Sequence, residues 1–455
     1  MKILWLCNLI LPEIAEDLGF QTIPKEGWVK GLFDAITEKI ASNNLDIEIA
    51  IAFPASKNLI FETEIGQKNG FISGQAGANK IKYYAFYEYT SKEDAYEDVL
   101  ESEMQGIIED FKPDVVHCFG TEFPHTLAAA KALDNPDRLL IGIQGPCTIY
   151  AEKYLSHLPK SVVNRKTFRD ILKQDSIIQQ KEKYVRRGIN EREAIKRAGH
   201  IAGRTQFDMD LVKEWNPDAT YHHAGETLRK TFYDGQWEEE HSEKYRLFVS
   251  QADYPLKGFH YLLIAVGELL NEDSCDRNRD IQIYVAGQSV VSYDTLKQKI
   301  KISSYGKYLR ELIAKYDLKD RVHFLGRLSA EEMKEQYQLC DTYICCSACE
   351  NSPNSLGEAM MLEVPIVAAR VGGIASVFDI NRDGFSYSCE DSENLEDVCA
   401  NLKTALLERW SAYDYANKSD ELNVKRRSAG MHARENHDPE KNALDMINIY
   451  KNICK

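Results

Sequence analysis

Residues 349–373 read CENSPNSLGEAMMLEVPIVAARVGG. The run passes from a polar loop to an amphipathic stretch, then to a short apolar run and a glycine pair. This order is typical of a loop–helix–strand unit in an open parallel sheet, in which ligands bind at the carboxyl ends of the strands. We expect Glu350, in the loop before the predicted helix, at that edge. Asn354 and Ser355 are predicted to cap the helix, whose free N–H groups favour a phosphate, with Glu358 in its first turn.

Short apolar runs alternate with amphipathic stretches along the whole chain, which is the pattern of βα units around parallel sheets. The runs predicted as strands are residues 3–7, 47–53, 81–86, 115–119, 139–143, 200–203, 246–249, 281–286, 322–325, 342–346 and 365–368. A polar passage at 234–244 interrupts the pattern and is interpreted as a linker. We therefore predict two doubly wound, Rossmann-like α/β domains, residues 1–234 and 245–438, with a ligand site in the cleft between them. A final helix within 439–455 is free to pack back on the first domain.

The charge of the chain is acidic overall but unevenly distributed. Its 455 residues carry 56 Lys or Arg and 71 Asp or Glu, so the formal net charge is −15. This balance argues against a nucleic-acid partner, because nucleic-acid binding needs a basic surface. Residues 151–200 differ, with 13 Lys or Arg against 6 acids. Such a segment predicts either a solvated helical face or a contact with an anionic surface such as a membrane.

The eleven cysteines are too few for a disulfide scaffold in a chain of this length, so we expect reduced, buried thiols. Cys346 and Cys349 form a lone CxxC, for which we expect neither a metal site nor redox chemistry. No stretch approaches the ~18 apolar residues that span a bilayer. The predicted location is cytoplasmic, and peripheral attachment to the inner membrane face through residues 151–200 stays open as a hypothesis.

The segment that contains Glu350 and Glu358 resembles the E-x7-E signature of the family-four retaining glycosyltransferases, since a Pro-Ile-Val-Ala run and the glycine pair 372–373 follow the two glutamates. These enzymes have the GT-B fold, in which two doubly wound domains face a central cleft. The resemblance implies that Glu350 is catalytic and contacts the donor sugar, and that Glu358 binds the ribose hydroxyls. It also implies that Asn354 and Ser355 present the helix N-terminus to the donor diphosphate.

A second segment, residues 248–258, is similar to the strand end at which this family holds the donor diphosphate with an Arg and, six residues on, a Lys-Gly pair. Lys257 fits this pattern. Gln251 stands where the family usually has the Arg, and an uncharged donor binds an anion less strongly than a cation does. Gly287 ends another family-like strand and completes the predicted donor site.

The first domain resembles the family more loosely. Gly27 is the single glycine in residues 24–28, where the family has a glycine pair near the donor phosphate. Residues 114–125 look like the strand and loop on the acceptor side, with Phe119 where the family often has a His. The candidates in this segment are His117 and Glu122 on the acceptor side and His125 as a catalytic residue. Residues 203–208 end another strand at the predicted cleft, and Arg204 is a further candidate on the acceptor side. A purely structural role for each histidine, and a salt bridge from Arg204 to Asp208, remain alternatives.

The resemblance implies a retaining transferase that moves a hexose from a UDP- or GDP-sugar to a glycan or lipid-linked acceptor, in polysaccharide or glycolipid biosynthesis, without cofactor or metal. Departure of the nucleoside diphosphate develops negative charge, which Lys257 would stabilise. Two alternatives stay open. One is a GT-B sugar-phosphate enzyme of the phosphorylase or epimerase type. The other is a catalytically degenerate sugar-nucleotide-binding subunit, which stays open because Gln251 stands in place of the Arg.

Overall fold

The computed structural model describes residues 1–20, 27–88, 93–271, 280–291, 295, 299–411 and 419–455. The strands are β1 (Lys2–Leu6), β2 (Glu48–Ala55), β3 (Phe71–Ala76), β4 (Ile81–Tyr87), β5 (Val115–Phe119), β6 (Leu139–Gly142), β7 (His200–Gly203), β8 (Thr220–His223), β9 (Glu243–Val249), β10 (Gln282–Val285), β11 (Val322–Phe324), β12 (Cys340–Cys345), β13 (Ile366–Arg370) and β14 (Phe385–Ser388).

The α-helices are α1 (Pro12–Asp17), α2 (Gly27–Ser42), α3 (Lys57–Phe61), α4 (Glu64–Asn69), α5 (Val99–Phe111), α6 (Pro124–Leu133), α7 (Cys147–Lys153), α8 (Lys160–Val163), α9 (Phe168–Lys173), α10 (Ile177–Arg197), α11 (Gln206–Trp215), α12 (Phe259–Asn271), α13 (Ser304–Lys315), α14 (Ala330–Leu339), α15 (Asn354–Met361), α16 (Ile374–Val377), α17 (Leu395–Ser411), α18 (Ser419–Asn436) and α19 (Pro439–Ile453).

The chain forms two compact units, neither of which is continuous in sequence. The first comprises Met1–Ala151, Lys183–Leu228 and His437–Lys455, and the second comprises Glu152–Glu182 and Arg229–Asn436. Each unit contains one sheet, and every apolar run that the sequence predicts as a strand overlaps an observed strand. The prediction of doubly wound α/β architecture is therefore confirmed for each unit.

The sheet of the first unit has the order β3-β4-β2-β1-β5-β6-β7-β8. The strand β3 is antiparallel to β4, and the other neighbouring strands are parallel. The chain first runs outward from β1 through β2 and then returns to the other side of β1 with β5. The strand order thus reverses between β1 and β5, and the carboxyl ends of these two strands mark a predicted ligand position.

The C-terminal helix α19 belongs to the first unit and closes one face of its sheet. Asp438 caps the helix, because its carboxylate accepts hydrogen bonds from the N–H groups of Glu440 and Lys441 at 2.9 and 3.0 Å. Trp5, fully buried in β1, donates its indole N–H to the hydroxyl of Tyr450 at 2.8 Å. The helix predicted for the end of the chain is confirmed, and it packs on the first sheet.

The sheet of the second unit has the order β11-β10-β9-β12-β13-β14 and is parallel throughout its described strands. Its strand order reverses between β9 and β12, so the carboxyl ends of β9 and β12 mark the corresponding position in this unit. All six residues of β12 are buried. The apolar residues Tyr343, Ile344 and Cys345 make the strand visible in the sequence, whereas the buried Asp341 is held by hydrogen bonds from Arg409 and Trp410.

Residues 152–182, which the sequence assigns to the first domain, pack with the second unit instead. Asp170, fully buried, accepts a hydrogen bond from the backbone N–H of Ser304 at 3.0 Å. Arg165 forms an ion pair with Glu311 at 2.8 Å. These partners on α13 are more than a hundred residues away in the chain, so neither composition nor local pattern could reveal them.

The polar passage 234–244, interpreted as a linker, is packed against the second unit. Trp237 is 1% exposed and donates its indole N–H to the carbonyl of Cys340 at 2.8 Å. Its backbone N–H donates to the carbonyl of Leu362 at 2.7 Å. One buried tryptophan thus fixes a passage whose other residues are mostly polar, and the longer segment of the second unit begins before this passage, at Arg229.

Cys346 and Cys349 are buried free thiols, and burial raises the pKa of both well above the ordinary value. Thiols held in the neutral form are weak nucleophiles and weak metal ligands, in keeping with their predicted structural role. In the described parts of the chain, no helix combines the length and hydropathy that crossing a membrane requires.

Candidate active site

Lys257 and Glu350 follow the two strands that flank the reversal of strand order in the second sheet. Lys257 lies after β9 and Glu350 after β12, and the two side chains form an ion pair with an Nζ–Oε1 distance of 2.6 Å. The sequence selects both residues, and the structure brings them into direct contact. The contact follows from the sheet order, because β9 and β12 are neighbours.

The turn that carries Lys257 depends on the glycine that follows it. Lys257 ends a single 3-10 turn, Pro255–Lys257, and Gly258 has a φ of +65°. A Cβ atom on Gly258 would lie 1.8 Å from the carbonyl oxygen of Cys346. Only glycine allows this close approach of two backbones, and the approach holds Lys257 at the carboxyl edge of the sheet.

The ion pair is shielded from solvent on most sides. The side chains of Lys257 and Glu350 are 19% and 8% exposed, and the Ser347 hydroxyl donates to the same Glu350 oxygen at 2.6 Å. Burial disfavours the charged ammonium, but the Glu350 carboxylate outweighs it and holds the pKa of Lys257 well above its ordinary value. Lys257 is therefore a cation at neutral pH and available to an anionic ligand.

Glu358 lies in the second turn of α15, not in the first turn as the sequence predicts, because the helix already begins at Asn354, one of the two residues predicted to cap it. Its Oε1 accepts hydrogen bonds from Nε and Nη2 of Arg229 at 2.8 and 2.7 Å. The Tyr337 hydroxyl lies 3.5 Å from its other oxygen. Arg229 was not identified from the sequence, since no local pattern pairs it with a glutamate 129 residues later.

Asn354 and Ser355 occupy the first turn of α15 but do not cap it. Pro353 is the N-cap residue, and no side chain accepts a capping hydrogen bond there. The Ser355 hydroxyl accepts a hydrogen bond from Tyr343 at 2.9 Å instead. The predicted capping role is therefore wrong, and a proposed contact with phosphate rests on the position of the helix N-terminus after β12.

Gln251 and Gly287 lie at the ends of β9 and β10, at the same edge of the sheet. Gln251 is half-buried. Gly287 has a φ of +102°, and a Cβ atom placed on it would meet nothing within 4 Å. Its backbone is held by reciprocal hydrogen bonds with Gly326, at 2.7 and 3.2 Å. The open space beside Gly287 leaves room for a ligand next to this strand end.

The first unit has a pocket at the carboxyl edge of its own sheet, beside the reversal between β1 and β5. Its lining combines aromatic and aliphatic side chains with polar ones, among them Trp28, Phe119, His117, Gln144, Arg204 and Glu226. A pocket that offers an aromatic face next to convergent polar groups suits a polyhydroxylated ligand, which has both apolar and hydrogen-bonding faces.

His117 and Arg204, two of the predicted acceptor-side residues, line this pocket. The imidazole Nδ1 of His117 lies 2.7 Å from the Tyr450 hydroxyl, and burial lowers its pKa to about 3, so the ring is neutral. The guanidinium of Arg204 pairs with Glu226 at 2.9 Å and donates to Gln144 at 2.8 Å. The alternative ion pair with Asp208 is not formed by the side chain, since Asp208 accepts from the backbone N–H of Arg204.

Glu122 and His125 are not among the pocket-lining residues. His125 is fully buried and its Nδ1 lies 2.8 Å from Glu88, so the ring has no access to a substrate in this conformation. Glu122 accepts from the N–H of Gly145 at 3.1 Å, and burial raises its pKa. Both side chains join parts of the first unit, and the predicted catalytic role of His125 is not supported by its position.

Gly27 is the first residue of α2, and residues 24–26 of the predicted phosphate loop lie outside the described residues. The next residue, Trp28, lines the pocket of the first unit.

Comparison with known proteins finds a family model that matches part of the chain. Residues 230–416 match the family model described as glycosyl transferases group 1. This segment is therefore similar to the group 1 glycosyl transferases. It contains the residues selected for donor binding in the second unit, namely Gln251, Lys257, Gly287, Glu350, Asn354, Ser355 and Glu358.

Two curated relatives match parts of the chain. The D-inositol 3-phosphate glycosyltransferase of Geodermatophilus obscurus is 29% identical over 164 residues, which are 36% of this chain and 33% of the relative. A sulfoquinovosyl transferase of Arabidopsis thaliana is 30% identical over 86 residues, 19% of this chain and 17% of the relative. The chain thus spans a third or less of the length of these relatives.

Solved structures match over nearly the whole chain at low identity. Sucrose-phosphate synthase from Thermosynechococcus elongatus has a TM-score of 0.66 at 11% identity, covering 100% of this chain and 99% of that one. Anabaena HepE with UDP and glucose has a TM-score of 0.58 at 14% identity, covering 99% and 100%. Starch synthase IV from Arabidopsis thaliana, bound to ADP and acarbose, has a TM-score of 0.59 at 11% identity, covering 100% and 99%. The fold is GT-B, as the sequence resemblance implies.

Proposed function

We propose that the protein is a glycosyltransferase that moves a hexose from a nucleoside-diphosphate sugar to a hydroxyl group of a glycan or glycolipid, with retention of the anomeric configuration. The observation that carries this proposal is the Lys257–Glu350 ion pair. It lies at the reversal of strand order in the second sheet, within the segment that matches the model of the group 1 glycosyl transferases. A cation and a carboxylate at that position suit a ligand with a diphosphate at one end and sugar hydroxyls at the other.

We propose that binding of the donor separates Lys257 from Glu350. The diphosphate would replace Glu350 beside Lys257, and the freed carboxylate would accept hydrogen bonds from the hexose. HepE binds UDP and glucose and starch synthase IV binds ADP, according to the descriptions of those structures, and this supports a nucleoside diphosphate as the leaving group. Glu358, fixed by Arg229, would accept from the ribose hydroxyls.

In the reaction the bond between the anomeric carbon and the diphosphate oxygen breaks, and a bond from the acceptor oxygen to that carbon forms on the same face. The acceptor proton passes to the leaving phosphate oxygen, so no base from the protein is needed. Lys257 and the N-terminus of α15 stabilise the charge that develops on the diphosphate.

The acceptor is proposed to bind the pocket of the first unit. Trp28 and Phe119 provide aromatic surface, and Arg204 and Glu226 provide a donor and an acceptor of hydrogen bonds. The neutral ring of His117 adds a hydrogen-bonding group that does not change its charge near neutral pH.

The proposal is tested by screening nucleotide sugars for a rise in thermal midpoint and then by following sugar transfer with the donor that binds. In Glu350→Gln we expect a loss of transfer of about 100-fold or more, because a hydrogen bond to the reacting sugar is weakened. Binding of the free nucleoside diphosphate should change less than about threefold, since Lys257 remains.

The matched control is Glu101→Gln, which removes a carboxylate that pairs with Lys131 at 2.7 Å outside both sites. It should retain full transfer. Undiminished transfer by Glu350→Gln would contradict the assignment. Donor binding without transfer by the wild type would support the sugar-nucleotide-binding alternative, and phosphate-dependent release of a sugar phosphate would support a phosphorylase.

A further inference from the structure

The segment of α8 and α9, residues 160–173, presents an unusual apolar surface on α9. Phe168, Ile171 and Leu172 are 63%, 64% and 73% exposed. Residues at positions i, i+3 and i+4 lie on the same side of a helix, so the three side chains form one patch on α9. Large apolar side chains are not expected together on a solvated helix, and such a patch marks an interaction surface.

The patch cannot turn inward, because the opposite side of α9 is fixed to α13. Asp170 is fully buried and closes a capping box with Thr167 at the start of α9. Its carboxylate also accepts from the N–H of Ser304 at 3.0 Å, and the Ser304 hydroxyl donates to the carbonyl of Arg165 at 2.9 Å. At roughly 100° per residue, Asp170 lies about 150° round the helix from the centre of the apolar patch. The hydrogen bonds that bury Asp170 therefore hold the patch toward solvent.

The segment that carries the apolar patch is basic. Residues 160–174 contain five Lys or Arg and one acid, the buried Asp170. Lys160, Lys166 and Lys173 are exposed, and none of them has an ion pair with a residue in the described parts of the chain. Since the whole chain carries a net charge of −15, this concentration of unpaired cations is local.

We propose that the α8–α9 surface, defined by Phe168, Ile171, Leu172 and the three lysines, docks on an anionic lipid bilayer. The three apolar side chains suit the acyl chains of such a bilayer, and the three lysines suit its negatively charged headgroups. The acidic remainder of the protein would be repelled by the same headgroups, so the contact would also orient the molecule. The inference stands independently of the proposed transferase activity, because it rests on other residues.

The test is co-sedimentation of the full-length protein with vesicles of phosphatidylcholine alone and of phosphatidylcholine mixed with phosphatidylglycerol. We expect binding to the anionic vesicles only, weakened by salt. Combined Phe168→Ser, Ile171→Ser and Leu172→Ser should lower the affinity about tenfold or more, as should combined Lys160→Glu, Lys166→Glu and Lys173→Glu. The thermal midpoints should stay unchanged, because all six side chains are exposed.

Two matched controls separate this surface from general effects. Val424→Ser with Met431→Ser removes exposed apolar side chains from α18, where Val424 is 65% and Met431 56% exposed. Lys57→Glu, Lys68→Glu and Lys80→Glu makes the same change of charge on exposed lysines of the first unit. Both controls should bind like the wild type. Absence of wild-type binding to anionic vesicles, or equal loss in test and control variants, would overturn the proposal, and transfer to a soluble acceptor reports on the proposed function separately.

Discussion

At the scale of single residues, Lys257 and Glu350 are 93 positions apart in the chain and 2.6 Å apart in the structure. Each can be selected from the sequence because it follows an apolar run in a family-like segment. Their contact could not be predicted, because it depends on β12 inserting beside β9, and strand order is a property of the whole sheet. The Glu350 carboxylate keeps Lys257 charged in a mostly buried position, so the ammonium is ready to meet the anionic end of a ligand.

Arg229 is the residue for which the structure adds most to the sequence. We expect Arg229→Met to raise the KM for the donor about tenfold with a smaller change in kcat, because the buried carboxylate of Glu358 loses the two charged hydrogen bonds from Arg229 and is proposed to lie away from the reacting carbon. Arg229→Lys should restore part of the affinity through its single charge. Steady-state kinetics at varied donor concentration gives KM and kcat. The temperature is kept below the thermal midpoint of each variant.

A purely structural role for Arg229 would give a different result. The thermal midpoint would fall while KM and kcat of the folded enzyme stayed at wild-type values. An equal loss in kcat and in kcat/KM would instead place Glu358 closer to the chemical step than we propose.

At the scale of elements, the turn before α12 depends on Gly258. We expect Gly258→Ala to destabilise the protein by about 3 kcal/mol, because the left-handed backbone and the overlap with the Cys346 carbonyl both oppose a Cβ atom. Gly326→Ala is the matched control. Its φ is +79° but a Cβ atom there would meet nothing within 4 Å, so the cost should be about 1 kcal/mol. Urea denaturation measures both, and equal losses would show that the close approach does not matter.

The elements that could be predicted differ in a physical way from those that could not. The central strands are buried on both faces and therefore read as apolar runs, and α19 has an Asp-Pro start with apolar residues at helical spacing. The strands β3, β8 and β14, which were not predicted, lie at the edges of the two sheets. An edge strand buries less surface, and the sequence of β8, Thr-Tyr-His-His, carries little apolar signal. The start of α15 was misplaced because Pro353 takes the N-cap position.

At the scale of the whole molecule, acid should weaken both units through buried histidines. Burial lowers the pKa of His260 in the second unit to about 3 and that of His437 in the first to about 4, from an ordinary value of 6.5. The folded protein keeps these rings neutral, while the unfolded chain binds protons below pH 6.5. Their contribution to stability is therefore complete above pH 6.5 and is lost as the pH falls toward 3.

Comparison of the wild type with His260→Gln isolates one of these groups from the other titrating residues. His260 lies 3.1 Å from the Tyr305 hydroxyl and 2.8 Å from the carbonyl of Ser156. The wild type should be the more stable protein near neutral pH, and its advantage should shrink by up to about 1.4 kcal/mol per pH unit below pH 6.5. Chemical denaturation at several pH values gives this difference. An advantage that stays constant from pH 7 to pH 4 would contradict the prediction.

The assignment of chain segments to the two units is the property of the molecule that the sequence predicts least well. Composition and strand pattern place a domain boundary where the alternation of strands and helices is interrupted. The alternation is interrupted at 234–244, but this passage is not a linker, since Trp237 anchors it in the second unit. Asp170 likewise holds residues 152–182 on the second unit, because it accepts a hydrogen bond from Ser304, which is distant in the sequence.

The polypeptide passes between the two units four times, after Ala151, Glu182, Leu228 and Asn436. A chimera that exchanged the donor-binding half of this protein for that of another transferase therefore cannot be made with a single junction. A graft of residues 229–436 alone would lack α8 and α9, so Ser304 would lose its acceptor in Asp170 and Arg165 would no longer pair with Glu311. A graft that is meant to change the donor specificity therefore has to include residues 152–182. It would also transfer the proposed membrane contact.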